Sequence, residues 1–197
     1  VLLISLAVSL FLVAPGDIVI TEIMYNPDGP TLGSDDLFEW VELCNLGIEP
    51  LQMEGMMLSD GGNQLFLDAF ELAPMARVVV AADPASFTGA YGTSVPLVLW
   101  EGEWTKLSNS SDTLILYSAS GGVLDELAYS DNWGVAEGDT TRSDADGRGS
   151  SLEKIVAAGG GEEYNWIPSI DYSCPLSDPE TGVQKCWGTP GAVNSVE

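Results

Sequence analysis

The residues in this sequence with a chemical potential of their own are carboxylates and tryptophans; histidine is absent. Without an imidazole the chain can build neither a Ser-His-Asp or Cys-His relay nor a His-rich zinc site. Three designs remain: paired carboxylates, a Lys-assisted nucleophile, or an all-oxygen cation site. The sharpest candidate for the last is the run from Arg142 to Glu153. Laid on a twelve-residue calcium loop, Asp144 and Asp146 take the third and fifth places, Gly147 the sixth and Glu153 the twelfth. Calcium wants several hard oxygens around one point, and glycine permits the turn that gathers them. Arg142, however, stands in the first place, where it repels a cation, and no flanking helices are visible; the competing reading is a solvated turn. A second acidic group is Asp28, Asp35, Asp36 and Glu39, carboxylates dense enough to repel unless solvated or bridged by a cation. Its plain reading is a mobile surface loop.

Glu22, Glu39 and Glu42 form a third group, on two apolar segments expected to be neighbouring strands. Strict alternation puts Glu22 on the face of Ile18, Ile20 and Met24, where a carboxylate needs a partner, with Lys106, Arg77 or backbone amides available. Paired carboxylates can hydrolyse a glycosidic bond. Six tryptophans stand at 40, 100, 104, 133, 166 and 187. An exposed Trp beside Asp and Asn can hold a sugar ring by stacking and hydrogen bonds. Core packing explains most of the six better. Trp133, in the loop Ser130-Asp131-Asn132-Trp133-Gly134, is the one expected to be exposed and to touch a ligand. Asn109-Ser110-Ser111 matches the glycosylation pattern, which matters only in a eukaryotic secretory path.

The elements that must position these side chains read as strands. The chain has 197 residues, 45% of them hydrophobic, with 22 Gly and 11 Pro, which fits one β-rich domain with a real core. Ile18–Met24 and Phe38–Asn45 are the first two strands. Leu51–Asp60, Gln64–Leu67 after a Gly61-Gly62-Asn63 turn, and the uninterrupted apolar Arg77–Ala82 follow. Asp83-Pro84 reads as the N-cap and first position of a single helical turn through Phe87. Pro96–Trp100 and Trp104–Leu107 flank a Gly102 turn. Asp112–Tyr117 and Val123–Tyr129 make a hairpin around Ser120-Gly121-Gly122, and Ser150–Ile155 is a further short strand.

Six Lys and Arg against thirty Asp and Glu give a formal charge of −24. Such a chain repels phosphate backbones and anionic membrane surfaces, because affinity for them rests on Lys and Arg displacing counterions. Divalent cations, basic proteins and neutral polymers are the favoured partners; the plain alternative is that the acid keeps the chain soluble. Residues 1–16 read as a secretory signal peptide lacking its basic start, as an uncleaved anchor, or as a hydrophobic first strand. The domain is then 17–197. Cys174 and Cys186 bracket a loop whose closure by a disulfide would add about 3 kcal/mol in the entropic account. Cys44 is expected to be a buried thiol in a strand. CxxC spacing is absent, so a cysteine metal site is not expected.

The strand-and-turn Ile18-Val19-Ile20-Thr21-Glu22-Ile23-Met24-Tyr25-Asn26-Pro27, the strand Phe38-Glu39-Trp40-Val41-Glu42-Leu43-Cys44-Asn45 and the closing Trp187-Gly188-Thr189-Pro190-Gly191-Ala192-Val193-Asn194 together resemble the lamin tail domain family. Trp100 through Tyr129, with its Leu107-Ser108-Asn109 turn, fits the same pattern, and Ser151-Leu152-Glu153 resembles a strand seen across that family. The resemblance spans Ile18 to Asn194. It implies an all-β, immunoglobulin-like β-sandwich with no catalysis or cofactor of its own. The expected role is a secreted or cell-surface accessory module that binds an extracellular protein or polysaccharide. Two other roles stay open: a calcium-stabilised domain of an envelope protein, and a module joined to a secreted metal-dependent hydrolase or nuclease.

Overall fold

A computed structural model of the chain describes residues 13–135, 141–171, 180 and 187–196. Twelve strands are present among the described residues: β1 Ile18–Met24, β2 Trp40–Asn45, β3 Leu51–Gln52, β4 Met57–Ser59, β5 Gln64–Leu67, β6 Glu71–Leu72, β7 Arg77–Ala81, β8 Trp100–Gly102, β9 Ser111–Tyr117, β10 Val123–Ser130, β11 Leu152–Lys154 and β12 Trp166–Pro168. Two helices, α1 Asp35–Phe38 and α2 Pro84–Tyr91, sit between strands. One sheet runs β12-β11-β1-β2-β7, the other β10-β9-β4-β5-β8, and β3 with β6 forms a small ribbon. All pairings within the sheets are antiparallel.

Side-chain alternation decides what lies between the sheets. Ile23, Val41, Leu43, Val78, Val80 and Leu152 of the first sheet meet Leu58, Leu65, Leu67, Leu114, Leu116, Leu124 and Leu127 of the second in one buried cluster. The uninterrupted apolar run of β7 has a second use. Its other residues, Val79 and Ala81, join Met24 and Trp40 on the outer face of the first sheet, under Phe87, Ala90 and Tyr91 of α2. Tyr91 stacks on Phe87 at 4.7 Å, and both meet Trp40 edge-on.

Several expectations from the sequence shift here. A β-bulge lies between Ile20 and Glu22, so strict alternation fails at that point. Ile18 and Ile20 enter the core between the sheets, whereas Met24 faces outward. Glu22 therefore does not share a face with Ile18 and Ile20. Phe38 ends α1 and is not part of β2. Leu51–Asp60 divides into β3 and β4. The helix after Asp83 runs eight residues, capped by Asp83 accepting from Ser86 N–H at 2.7 Å. Gly102 ends β8, which pairs with β5, and does not turn a hairpin. Val13 packs on the core and Gly16 N–H donates to Leu124 O, so the described part of residues 1–16 touches the sandwich. Cys174 and Cys186 lie outside the described residues, as do positions 1–12.

Candidate functional site

The first sheet brings three glutamates side by side. Glu22 on β1 faces Glu42 on β2 and Glu153 on β11 in register, and none of the three is exposed. Carboxylates this close and this dry require donors. Many of the donors come from one stretch of chain, residues 187–196, which lies across the outer face of the sheet as a strap. Thr189 N–H donates to Glu22 Oε1 at 2.9 Å, and the Ser151 hydroxyl reaches the same oxygen. Thr189 Oγ1 stands 3.2 Å from Glu22 Oε2 and 2.9 Å from Glu153 Oε1. Gly191 N–H donates to Glu42 Oε2 at 2.6 Å. Ser195 gives both its N–H and its hydroxyl to Glu153 Oε2. Asn194 Nδ2 ties the strap to the carbonyls of Thr21 and Lys154.

This contact explains the Gly-Thr-Pro-Gly spacing. A Cβ on Gly188 would stand 2.7 Å from Glu22 Oε1 and 2.9 Å from Ser151 Oγ, so the backbone approaches too closely for any other residue. Gly191 takes φ 81°, the left-handed region that favours glycine. Arg77 reaches Glu42 at 3.3 Å, the Thr21 hydroxyl donates to Glu42 Oε1 at 2.6 Å, and Lys106 pairs with Asp36 instead. Burial, with Glu42 and Glu153 beside it, pushes the Glu22 carboxyl well above the usual range. Glu42 rises to about 7, through burial opposed by its donors and Arg77.

Glu39 occupies a separate niche at the end of α1. Its Oε2 accepts from Trp104 Nε1 at 2.6 Å and Leu107 N–H at 3.2 Å. Burial lifts it to about 7, with Asp35 and Asp36 adding to the rise.

The acidic groups picked out as calcium ligands do not converge on a cation position among the described residues. Asp146 Oδ2 is 2.6 Å from Arg142 Nε, and Asp146 Oδ1 accepts from Asn26 Nδ2. Asp144 faces Arg148 at 3.4 Å. Glu153 is turned to the strap. Arg142, an unfit first ligand, is the counter-ion of its loop and holds the Asp146 carboxyl below its usual range. In the other group, Asp28 accepts from Thr31, Asp35 from Asn109, Asp36 pairs with Lys106 and Glu39 is engaged as above. Among the described residues no three acidic or cysteine side chains are arranged around a cation position.

Trp133 is 8% exposed, contrary to the expectation of an open loop residue. It packs on the core against Trp166, ring centres 6.4 Å apart. It nevertheless lines a groove of about 470 Å³ with Asp60, Ser111, Asp112, Thr113, Ala128, Tyr129 and Ser130. The pairing of β9 with β10, and of β4 with β9, brings these residues to one end of the second sheet. The lining has two carboxylates, four hydroxyls and no cation. Asp60 and Ser130 are contributions that sequence reading missed, since they sit far apart in the chain and converge only when β4, β9 and β10 pair.

No helix among the described residues is long and apolar enough to cross a membrane. A family model described as Lamin Tail Domain matches residues 13–131. No curated protein matches the chain. The match stops short of β11, β12 and the strap, which nevertheless complete the first sheet and cover its acids. With the antiparallel sandwich, the match over more than half its length shows that this chain belongs to the lamin tail domain family, a family of non-enzymatic β-sandwich domains.

Proposed function

We propose that this domain is a secreted or surface-displayed binding module without catalysis of its own, engaging an extracellular protein or polysaccharide. The groove beside Trp133 carries the proposal. It is the place where hydroxyls, carboxylates and an aromatic edge converge on solvent from rigid strands, the composition of a polar recognition site. The acid pairs that hydrolysis would require are covered by the strap, closed to both substrate and water. The charge of −24 favours neutral or basic partners over nucleic acid and anionic membrane. The apolar start of the chain supports export, and a Cys174–Cys186 disulfide would accord with an oxidising compartment.

The test is binding of the full chain to immobilised extracellular polysaccharide fractions and to basic and acidic proteins, with Ala128→Arg and Ser111→Arg as blocking variants. Both residues line the groove with exposed side chains. The expected result is a ligand whose binding both variants abolish while the melting temperature is unchanged. Equal binding by wild type and both variants would remove the groove from the function.

A further inference from the structure

The hydrogen-bond geometry over Glu22 does not close if all three strand glutamates are ionised. The Thr189 hydroxyl lies within hydrogen-bond distance of Glu22 Oε2, at 3.2 Å, and of Glu153 Oε1, at 2.9 Å. A hydroxyl has one proton to donate. Two ionised carboxylates cannot both be satisfied by it, and neither of these two oxygens has another donor among the described residues. If both contacts are hydrogen bonds, one of the two is donated by a carboxyl group. The shorter contact, to Glu153, suits a hydroxyl donating to a charged carboxylate. The longer one is left for a carboxyl O–H donating to Thr189 Oγ1.

Position selects Glu22 as the group that keeps the proton. It stands on the central strand of the three, with a carboxylate on each side, whereas Glu153 and Glu42 each have one such neighbour in register. Among the described residues the one guanidinium on this face, Arg77, stands beside Glu42. The charged or titratable groups around Glu22 are Glu42 with the Cys44 thiol further along β2, Glu153 on β11, Arg77 on β7 and the Tyr91 hydroxyl from α2. Residues 187–196 bring no ionisable side chain. Three carboxylates thus share one cation in a region closed to water, and like charges in that setting cannot all ionise.

We infer that Glu22 is kept as a neutral carboxylic acid, donating through Thr189 Oγ1 to an ionised Glu153, and that this one proton latches residues 187–196 onto the first sheet. Proton loss from Glu22 sets two carboxylates against one hydroxyl and replaces attraction with repulsion directly beneath Thr189. The strap is then a pH-sensitive closure: seated at acid and neutral pH, loosened when alkali removes the proton. Its release would uncover Glu22 and part of Trp40, because Gly188 lies directly on both.

Two measurements on the full chain test this. The first follows the side-chain carboxyl carbons of 13C-glutamate by NMR. Glu22 is expected to keep the chemical shift of a protonated acid at pH 7. An ionised Glu22 at pH 6 would overturn the inference. The second is amide hydrogen exchange at Thr189 and Gly191, corrected for intrinsic rate and referred to Val41 in the core. From the pH at which a free glutamate ionises up to the pH at which Glu22 itself titrates, wild-type protection of the strap should fall by up to about tenfold for each pH unit and then level off. In Glu22→Gln, whose amide N–H replaces the carboxyl O–H, it should stay level. A strap equally protected in wild type across that range, or one that Glu22→Gln loosens at pH 6, would refute the latch. If Glu22→Gln does not fold, the carboxyl measurement on wild type decides alone.

Discussion

Replacing Glu39 by Gln should make the protein more stable at alkaline pH and leave it nearly unchanged at acid pH. Glu39 is 3% exposed and no cation among the described residues pairs with it; its Oε2 takes two donors, Trp104 Nε1 and Leu107 N–H. Its carboxyl is raised from the ordinary 4.5 to about 7, first by burial, with Asp35 and Asp36 adding to the rise. A carboxyl raised on folding contributes stability that is complete below pH 4.5 and is lost as pH climbs through 7, because the unfolded chain ionises first. Integrating that linkage from pH 5 to pH 8 gives a loss of about 2.5 kcal/mol. Gln has a carbonyl oxygen able to accept both hydrogen bonds and cannot ionise. The variant should therefore lie within about 1 kcal/mol of wild type at pH 5 and gain about 2 kcal/mol more on it by pH 8, after a discount for residual solvation of the carboxyl. Urea unfolding at both pH values, read by tryptophan fluorescence, measures the difference directly. A Glu39→Gln effect that does not change with pH, or a variant less stable than wild type at pH 8, would refute the reasoning.

Other outcomes follow from the same structure. Gly188→Ala places a methyl 2.7 Å from Glu22 Oε1 and 2.9 Å from Ser151 Oγ; unfolding should show a loss of about 1–3 kcal/mol, the range for overpacking. Asp83→Ala removes the cap on Ser86 N–H and should cost about 1 kcal/mol by denaturant unfolding. Tyr129→Phe deletes the 2.9 Å bond from the phenol to Ser108 O and should also cost about 1 kcal/mol. Exchanging calcium for a chelator at constant ionic strength should leave the melting midpoint unmoved, since the candidate carboxylates already have protein partners. A rise specific to calcium over magnesium would show that an ion competes with them.

Much of the sandwich was legible in the residues. Alternation in β9 and β10 around Gly121-Gly122, the continuous apolar run of β7, and the Asp83-Pro84 helix start each follow from local rules that the fold obeys. The absence of histidine and the surplus of acid likewise bound the chemistry before any coordinates. What local rules could not deliver were the pairings between distant segments. The bulge after Ile20 reverses the face of Glu22, and a bulge is a property of two strands in register, invisible in one. Trp133 looked exposed from its polar neighbours, yet Trp166, 33 positions on, covers it. Arg142 looked like a flaw in a cation loop, and is the ion that pairs with Asp146. Glu153 looked like the last ligand of that loop until the strap claimed it. Composition and periodicity thus determined that this chain is acidic, β-rich and without imidazole chemistry, and the family resemblance added the sandwich. Which carboxylates are buried, which donor each receives and where a proton must reside were decided by tertiary structure, because hydrogen bonds in a closed interior are set by segments up to 173 residues apart.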